Sequence, residues 1–202
     1  MMAPDGQALE VRTLSGDEIG DCLADLARLR IAVFAAFPYL YDGHLDYEAD
    51  YVREFAAEPG SVLIAAFDGH RIVGVATASP MAGQKAEFRQ PFEDRGFDTG
   101  SLFYFGESVL LPAYRGQGVG HAFFDQREAA ARAAGASHAC FASVIRPVDH
   151  PARPADYTPL DGFWTRRGYA PVAGLTTQMA WQDHGETAES GKSMQYWLRA
   201  LS

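Results

Sequence analysis

The sequence predicts an α/β (α+β) protein in which about seven strands alternate with helices around one core. Three observations carry this. "LEVRTL" alternates in strand fashion and runs into a helical pattern. "SVLIAAF" and "RIVGVATASP" flank a short glycine turn. A glycine-rich stretch joins the apolar run "SLFYFGESVLLP" to an amphipathic helix. No internal repeat and no shift in composition marks a boundary, so one domain is expected over 1–202.

In chain order, the first strand is followed by Ser15-Gly16-Asp17-Glu18, a cap for a helix carrying Ile19, Cys22, Leu23, Leu26, Leu29 and Val33 at helical spacing. An aromatic loop broken by Pro38 and Gly43 leads to a second helix from about Asp46 to Ala57, stopped by Pro59-Gly60. The hairpin turns at Asp68-Gly69-His70. Residues 81–100 mix charges with Phe88, Phe92 and Phe97 around Pro91, and they predict an irregular insertion with one helical turn. After the fourth strand and the glycine stretch, "VGHAFFDQREAAARAAG" is a helix ended by Gly135, with Glu128 and Arg132 as an i,i+4 pair on its outer side. "SHACFASVI" is a fifth strand, "PLDGFWTRR" a short helix ended by Gly168, and "TTQMAWQ" and "SMQYWLRAL" the last two strands. The aromatic final strand offers a pairing edge for a homodimer.

A hydrophobic content of 48% suffices for a core. The 17 basic against 26 acidic residues give a net charge of -9, which disfavours nucleic-acid backbones and anionic membranes and suits a cationic small molecule. Cys22 and Cys140 stand far apart with no zinc or disulfide pattern, and the six histidines show no paired ligand spacing, so no metal is expected. With no leader-like start and no long apolar run, a cytoplasmic location is the expectation.

The stretch "LLPAYRGQGVGHAFF" asks why glycines recur at 116, 118 and 120. Glycine in a regular element costs roughly 0.5–1 kcal/mol against alanine, so their recurrence points to a backbone that something approaches closely. A strand, a glycine turn and a helix start present free N–H groups and the positive end of a helix dipole, which is an anion site. A Walker loop is excluded because neither Lys nor Ser/Thr follows the glycines. A nicotinamide-binding loop is disfavoured because its third glycine position holds His121 and no acidic residue stands about 20 residues on.

The full string R-x-x-G-x-G, at Arg115, Gly118 and Gly120, follows a strand and "LPAYRG" and precedes an amphipathic helix. It resembles the acyl-CoA signature of the GNAT superfamily of N-acetyltransferases, and "FWTRRGYAP" looks like that family's "FYEKLGF" segment. The resemblance covers most of the chain; the 81–100 insertion and "RPVDHPARPADYTP" exceed the minimal pattern. It implies a mixed, mostly antiparallel sheet with a splayed motif strand. It also implies acetyl-CoA as co-substrate, its pyrophosphate on the loop of Arg115, Gly116, Gln117, Gly118, Val119 and Gly120, and its pantetheine on the main chain of Val109 and Leu111.

Acyl transfer needs a neutral amine, and a lysine-like amine holds its proton up to a pKa of about 10.4. The resemblance puts a base on the motif strand, where Glu107 stands amid apolar residues that would raise its proton affinity. The family often has a tyrosine as general acid where this chain has Trp164, so Trp164 is expected against the cofactor or in the core. Tyr157 becomes the substitute acid, with Tyr104 behind it. Phe37, Tyr39 and Tyr41 are expected to line the acceptor pocket, and Asp149, His150 and Asp156 to meet a cationic acceptor. Cys140, in an apolar strand, is a poor covalent nucleophile. The expected activity is direct transfer of acetyl to a primary amine of a small molecule or peptide; a catalytically silent acyl-CoA sensor is the alternative.

Overall fold

The computed structural model of the protein describes residues 9–14 and 17–201. In order these form β1 (Glu10–Leu14), α1 (Asp17–Phe34), α2 (Leu45–Ala57), β2 (Val62–Asp68), β3 (Arg71–Pro80), α3 (Ala86–Glu93), β4 (Leu102–Leu110), α4 (Val119–Ala133), β5 (His138–Val144), α5 (Asp161–Arg166), β6 (Ala170–Trp181) and β7 (Ser190–Ala200). The expected cap at Ser15-Gly16 lies outside the described residues.

One seven-stranded sheet runs in the order β1-β2-β3-β4-β5-β7-β6. Neighbours are antiparallel except β4 and β5, which are parallel. Strand alternation sends successive side chains to opposite faces. On β2, Leu63 and Ala65 pack with Leu26 and Leu29 of α1, while Ile64 and Ala66 pack with Val119 and Phe123 of α4. Both faces are therefore covered by helices, and the strands read as continuous apolar runs for that reason.

β4 and β5 pair only over Leu102–Tyr104 against His138–Cys140 and then part. β4 continues beside β3 to Leu110, with a register shift between Ala76 and Ala78. At that bulge the Glu107 amide donates to Thr77 Oγ1 at 3.1 Å. A Cβ at Gly106 would come within 2.5 Å of the same oxygen, so the close approach excludes a side chain there.

Three expectations are corrected. Residues 86–93 form a helix despite Pro91, and short 3-10 turns flank it at Met81–Gly83 and Thr99–Ser101. The missing Pro91 N–H leaves the Glu87 carbonyl free, and Thr177 Oγ1 donates to it at 2.6 Å. Phe88, Phe92 and Phe97 then pack with Leu102, Tyr104 and Tyr196, which makes this segment a part of the core. The last strand, β7, is not an edge: it lies between β5 and β6, so it cannot supply a homodimer by edge pairing. Glu128 faces inward and is only 4% exposed. Its Oε1 accepts from Arg199 Nη1 at 2.7 Å, Arg167 Nη2 at 3.0 Å and the Tyr169 hydroxyl at 3.2 Å, tying α4 to α5 and β7.

Breaking a buried, hydrogen-bonded ion cluster by removing one partner is expensive. Glu128→Gln is expected to lower unfolding stability by about 3 kcal/mol, read by urea denaturation, whereas an outward-facing residue would change it by less than about 0.5 kcal/mol.

Candidate active site

The glycine loop starts where β4 ends. Pro112–Tyr114 make a 3-10 turn, and the buried Tyr114 donates its hydroxyl to Asp68 Oδ2 at 2.6 Å, fixing the turn to the end of β2. Gly116 (φ 75) and Gly118 (φ 85) adopt left-handed conformations, and Gly118 caps α4. Each would strain a side-chain-bearing residue. Gly120 is different: a Cβ there would meet only Phe163 Cζ at 3.6 Å, an ordinary contact, so the protein itself does not require glycine at 120. Gln117 folds back, its Nε2 donating to Ala113 O at 3.1 Å, while Arg115 remains exposed. The first amides of α4 lack intrahelical acceptors and point out of the helix start with its dipole.

The hydrogen-bond pattern corrects which main-chain groups β4 turns toward the gap. Leu111 N–H donates to Val73 O at 3.0 Å. Partners in an antiparallel ladder alternate between bonded and non-bonded pairs, so Val109, opposite Val75, also turns its amide and carbonyl to β3. Val109 O accordingly lies 3.0 Å from where a Gly74 Cβ would stand. The groups facing the parting are those of Ser108 and Leu110, and Arg115 Nε lies 3.4 Å from Leu110 O. The main chain of Val109 and Leu111 is thus turned to β3 rather than to the gap.

On the same parting lies a cavity of about 300 Å³, with Tyr104, Gly106 and Glu107 of β4 on its wall. Glu107 is buried, with its side chain 4% exposed, and Arg30 Nη1 sits 2.8 Å from its Oε2. The environment is therefore not purely apolar, as the sequence suggests, but contains a matching cation. Arg30 Nε in turn contacts Oε2 of Glu48, a carboxylate with no exposure.

Tyr39 and Tyr41 border the cavity; Phe37 does not. The Tyr39 segment is fastened from below. Its carbonyl accepts from Trp181 Nε1 at 3.0 Å and Arg146 Nη2 at 2.8 Å, and Arg146 also reaches Pro38 O at 2.7 Å and pairs with Asp183 at 2.7 and 2.9 Å. Desolvation pushes the Tyr39 phenol up to about 12, so it keeps its proton at neutral pH.

Tyr157 is not on the cavity wall. It stacks edge-on with Phe37 at 4.7 Å beneath the Arg153 guanidinium, 4.9 Å from its ring, and burial raises its phenol. Asp149, His150 and Asp156 belong to the same outer loop and also stand off the wall. Trp164 packs in the core against Phe141 at 5.0 Å and Trp197 at 5.1 Å; its neighbour Phe163 is the ring that meets His121 at the start of α4, at 4.9 Å. Cys140 is buried, and burial pushes its thiol up, away from the reactive thiolate. Among the described residues no group of three metal-ligating side chains occurs, and no helix is long and apolar enough to cross a membrane.

Sequence reasoning missed Arg30 and Glu48. The signal for Arg30 was its position: four residues after Leu26 and three before Val33, it interrupts the stripe that α1 turns to the sheet.

A sheet covered by helices on both faces, opened between two parallel strands beside a glycine-capped helix start, defines a class of α/β domain that comparison narrows to one family. The model of the Acetyltransferase (GNAT) family matches residues 28–155, and the chain belongs to that family. A candidate acetyltransferase from Salmonella typhimurium, solved with its cofactor acetyl-CoA, superposes with TM-score 0.60 at 13% identity, over 97% of this chain and 95% of that one. A ribosomal-protein-alanine N-acetyltransferase from Brucella melitensis gives 0.60 at 12% identity, over 95% and 99%. An aminoglycoside 6'-N-acetyltransferase complexed with coenzyme A gives 0.58 at 16% identity, over 96% and 97%. These likenesses concern the fold. No curated protein sequence matches significantly.

The two kinds of glycine separate in stability measurements. Gly118→Ala is expected to lower unfolding stability by about 1 kcal/mol through its left-handed φ. Gly120→Ala, a helix position with room, is expected to leave it unchanged or raise it by up to about 1 kcal/mol.

Proposed function

We propose that the protein transfers an acetyl group from acetyl-CoA to a primary amine within a ternary complex, with Glu107 as the base that takes the amine's proton. The observation that carries this reading is the position of Glu107: a buried carboxylate on the cavity wall, at the bulge just beyond the last residues that β4 pairs with β5.

The residues suit acyl-CoA. Gly120 has no reason within the fold to lack a side chain, and an anionic group lying on the amides at the start of α4 supplies one. In this reading the loop from Arg115 to Gly120 holds the pyrophosphate, and the gap-facing main chain of Ser108 and Leu110 holds the pantetheine arm. Bound acetyl-CoA supplies the activated thioester.

The chain's own groups do the rest. Glu107 accepts the ammonium proton so that a neutral amine can attack; such a base contributes about 10²–10⁴-fold. The leaving thiol has a pKa of about 8.5, so it departs with little assistance. Tyr39 and Tyr104 border the cavity and can donate a hydrogen bond, which makes them better situated than Tyr157. Direct transfer is favoured over a covalent relay because Cys140 is buried in the sheet with a raised thiol. A cationic acceptor, on a small molecule or a peptide, is favoured by the cavity's aromatic walls and by the carboxylates of Glu58 and Glu87, beside Glu54 paired with Lys85.

The test is thiol release from acetyl-CoA across a panel of primary amines, with acetyl-CoA affinity measured in parallel by calorimetry. Glu107→Gln is expected to lower kcat/KM by about 100-fold or more while acetyl-CoA binds as before. Wild-type turnover retained by Glu107→Gln contradicts the role of Glu107, and acetyl-CoA binding with no turnover for any amine in the wild type supports the sensor instead.

A further inference from the structure

Arg30 is shared between two buried carboxylates. Its Nη1 sits 2.8 Å from Glu107 Oε2 and its Nε contacts Glu48 Oε2; the three side chains are 11%, 4% and 0% exposed. The arginine fork allows this, since separate N–H groups can face separate acceptors. Arg30 comes from α1 and Glu48 from α2, so two helices converge on one residue of the sheet.

We propose that Arg30 and Glu48 are positioning residues for Glu107: Arg30 holds the carboxylate in place, and the part of its charge claimed by Glu48 sets how readily Glu107 takes a proton. The proposal rests on the reading of Glu107 as the base. Counted by themselves, these three side chains carry one surplus negative charge when all are ionised. A lone Arg30–Glu107 pair would be neutral and would bind a proton or an incoming ammonium less readily. Glu48 restores the surplus from behind, away from the cavity wall, where it does not occupy space the acceptor needs.

Other groups bear on Glu107 from each side. Arg127 of α4 is a buried cation coupled to it electrostatically; desolvation lowers Arg127 to about 10, which leaves it charged at neutral pH. Tyr39, from the loop after α1, is coupled to it as a neutral phenol, and Tyr104 lies on its own strand along the same wall. Thr77 of β3 holds its amide. Glu54, Glu58 and Glu87 line the same cavity, but among the described carboxylates Glu48 is the one that shares Arg30 with Glu107, so its removal has a definite sign. Without it, repulsion is lost and the whole Arg30 field falls on Glu107; both effects favour the ionised form.

The experiment follows the Glu107 carboxyl by ¹³C NMR in protein with labelled glutamate, the resonance identified by its loss in Glu107→Gln. In Glu48→Gln, which keeps the size and the hydrogen bond of the side chain, the protonation midpoint of Glu107 is expected to move to lower pH. Glu48→Asp, which restores the charge, is expected to bring it back toward the wild-type position, and Arg30→Gln to move it up. The acid limb of kcat/KM should follow the midpoint, with acetyl-CoA affinity unchanged. A folded Glu48→Gln with an unmoved or raised midpoint overturns the proposal; if that variant does not fold, an unmoved midpoint in Arg30→Gln does the same. A midpoint that moves as stated while the acid limb stays still supports the cluster and removes Glu107 as the base, so the two readings fail separately.

Discussion

The site depends on the parting of β4 from β5. Each strand has another partner that holds it through the divergence: β4 stays beside β3 as far as Leu110, and β5 stays beside β7 as far as Val144. The bulge at Gly106 and Glu107 adds a local twist on the β4 side, where Thr77 reaches across to the Glu107 amide. Main-chain groups in a sheet interior require partners, and a strand whose neighbour leaves must find them elsewhere. The same divergence creates the cavity, turns Ser108 and Leu110 to the opening and brings Glu107 to its wall. Cavity, main-chain edge and carboxylate are consequences of one topological event.

Charge is used at three depths around that opening. Arg30, itself on the cavity wall, pairs with Glu107 and is held by Glu48 behind it. Arg146, paired with Asp183, grips the carbonyls of Pro38 and Tyr39 and so fixes the aromatic segment on the opposite wall. Glu128 gathers Arg167 and Arg199 on the far side of α4, where it fastens α5 to the helix that begins at the glycine loop. Each is a multiply bonded cluster, the form in which buried charge is tolerated. Together they hold loops and helices that apolar contacts alone would leave free to slide, since hydrophobic packing is not directional.

Local signals were legible in the sequence; long-range ones were not. The β2–β3 hairpin, α4 after its glycine turn and the strand carrying Glu107 follow from patterns spanning a few residues. The helix at 86–93 was hidden because Pro91 signals a break, and the Thr177 hydroxyl that answers the freed carbonyl is 90 residues from Glu87. Glu128 looked like the outer member of an i,i+4 pair because its true partners, Arg167 and Arg199, are 39 and 71 residues away. The interior place of β7 reflects an order in which the last strand inserts between β5 and β6. Which main-chain groups of β4 face the gap was not legible because alternation supplies a period of two but no phase; the bond from Leu111 to Val73 sets the phase. Family resemblance pointed to the loop and to Glu107, but it did not contain Arg30 or Glu48.

The most direct test of the account is a backbone amide NMR titration of the labelled protein with acetyl-CoA. Saturable shifts confined to the gap-facing amides of Ser108 and Leu110 and to those of 116–120, with Val109 and Leu111 little moved, are the predicted result. No saturable shift at millimolar acetyl-CoA, or a response led by Val109 and Leu111 with the glycine loop silent, would contradict the claim that the parted strand and the helix start form one acyl-CoA site.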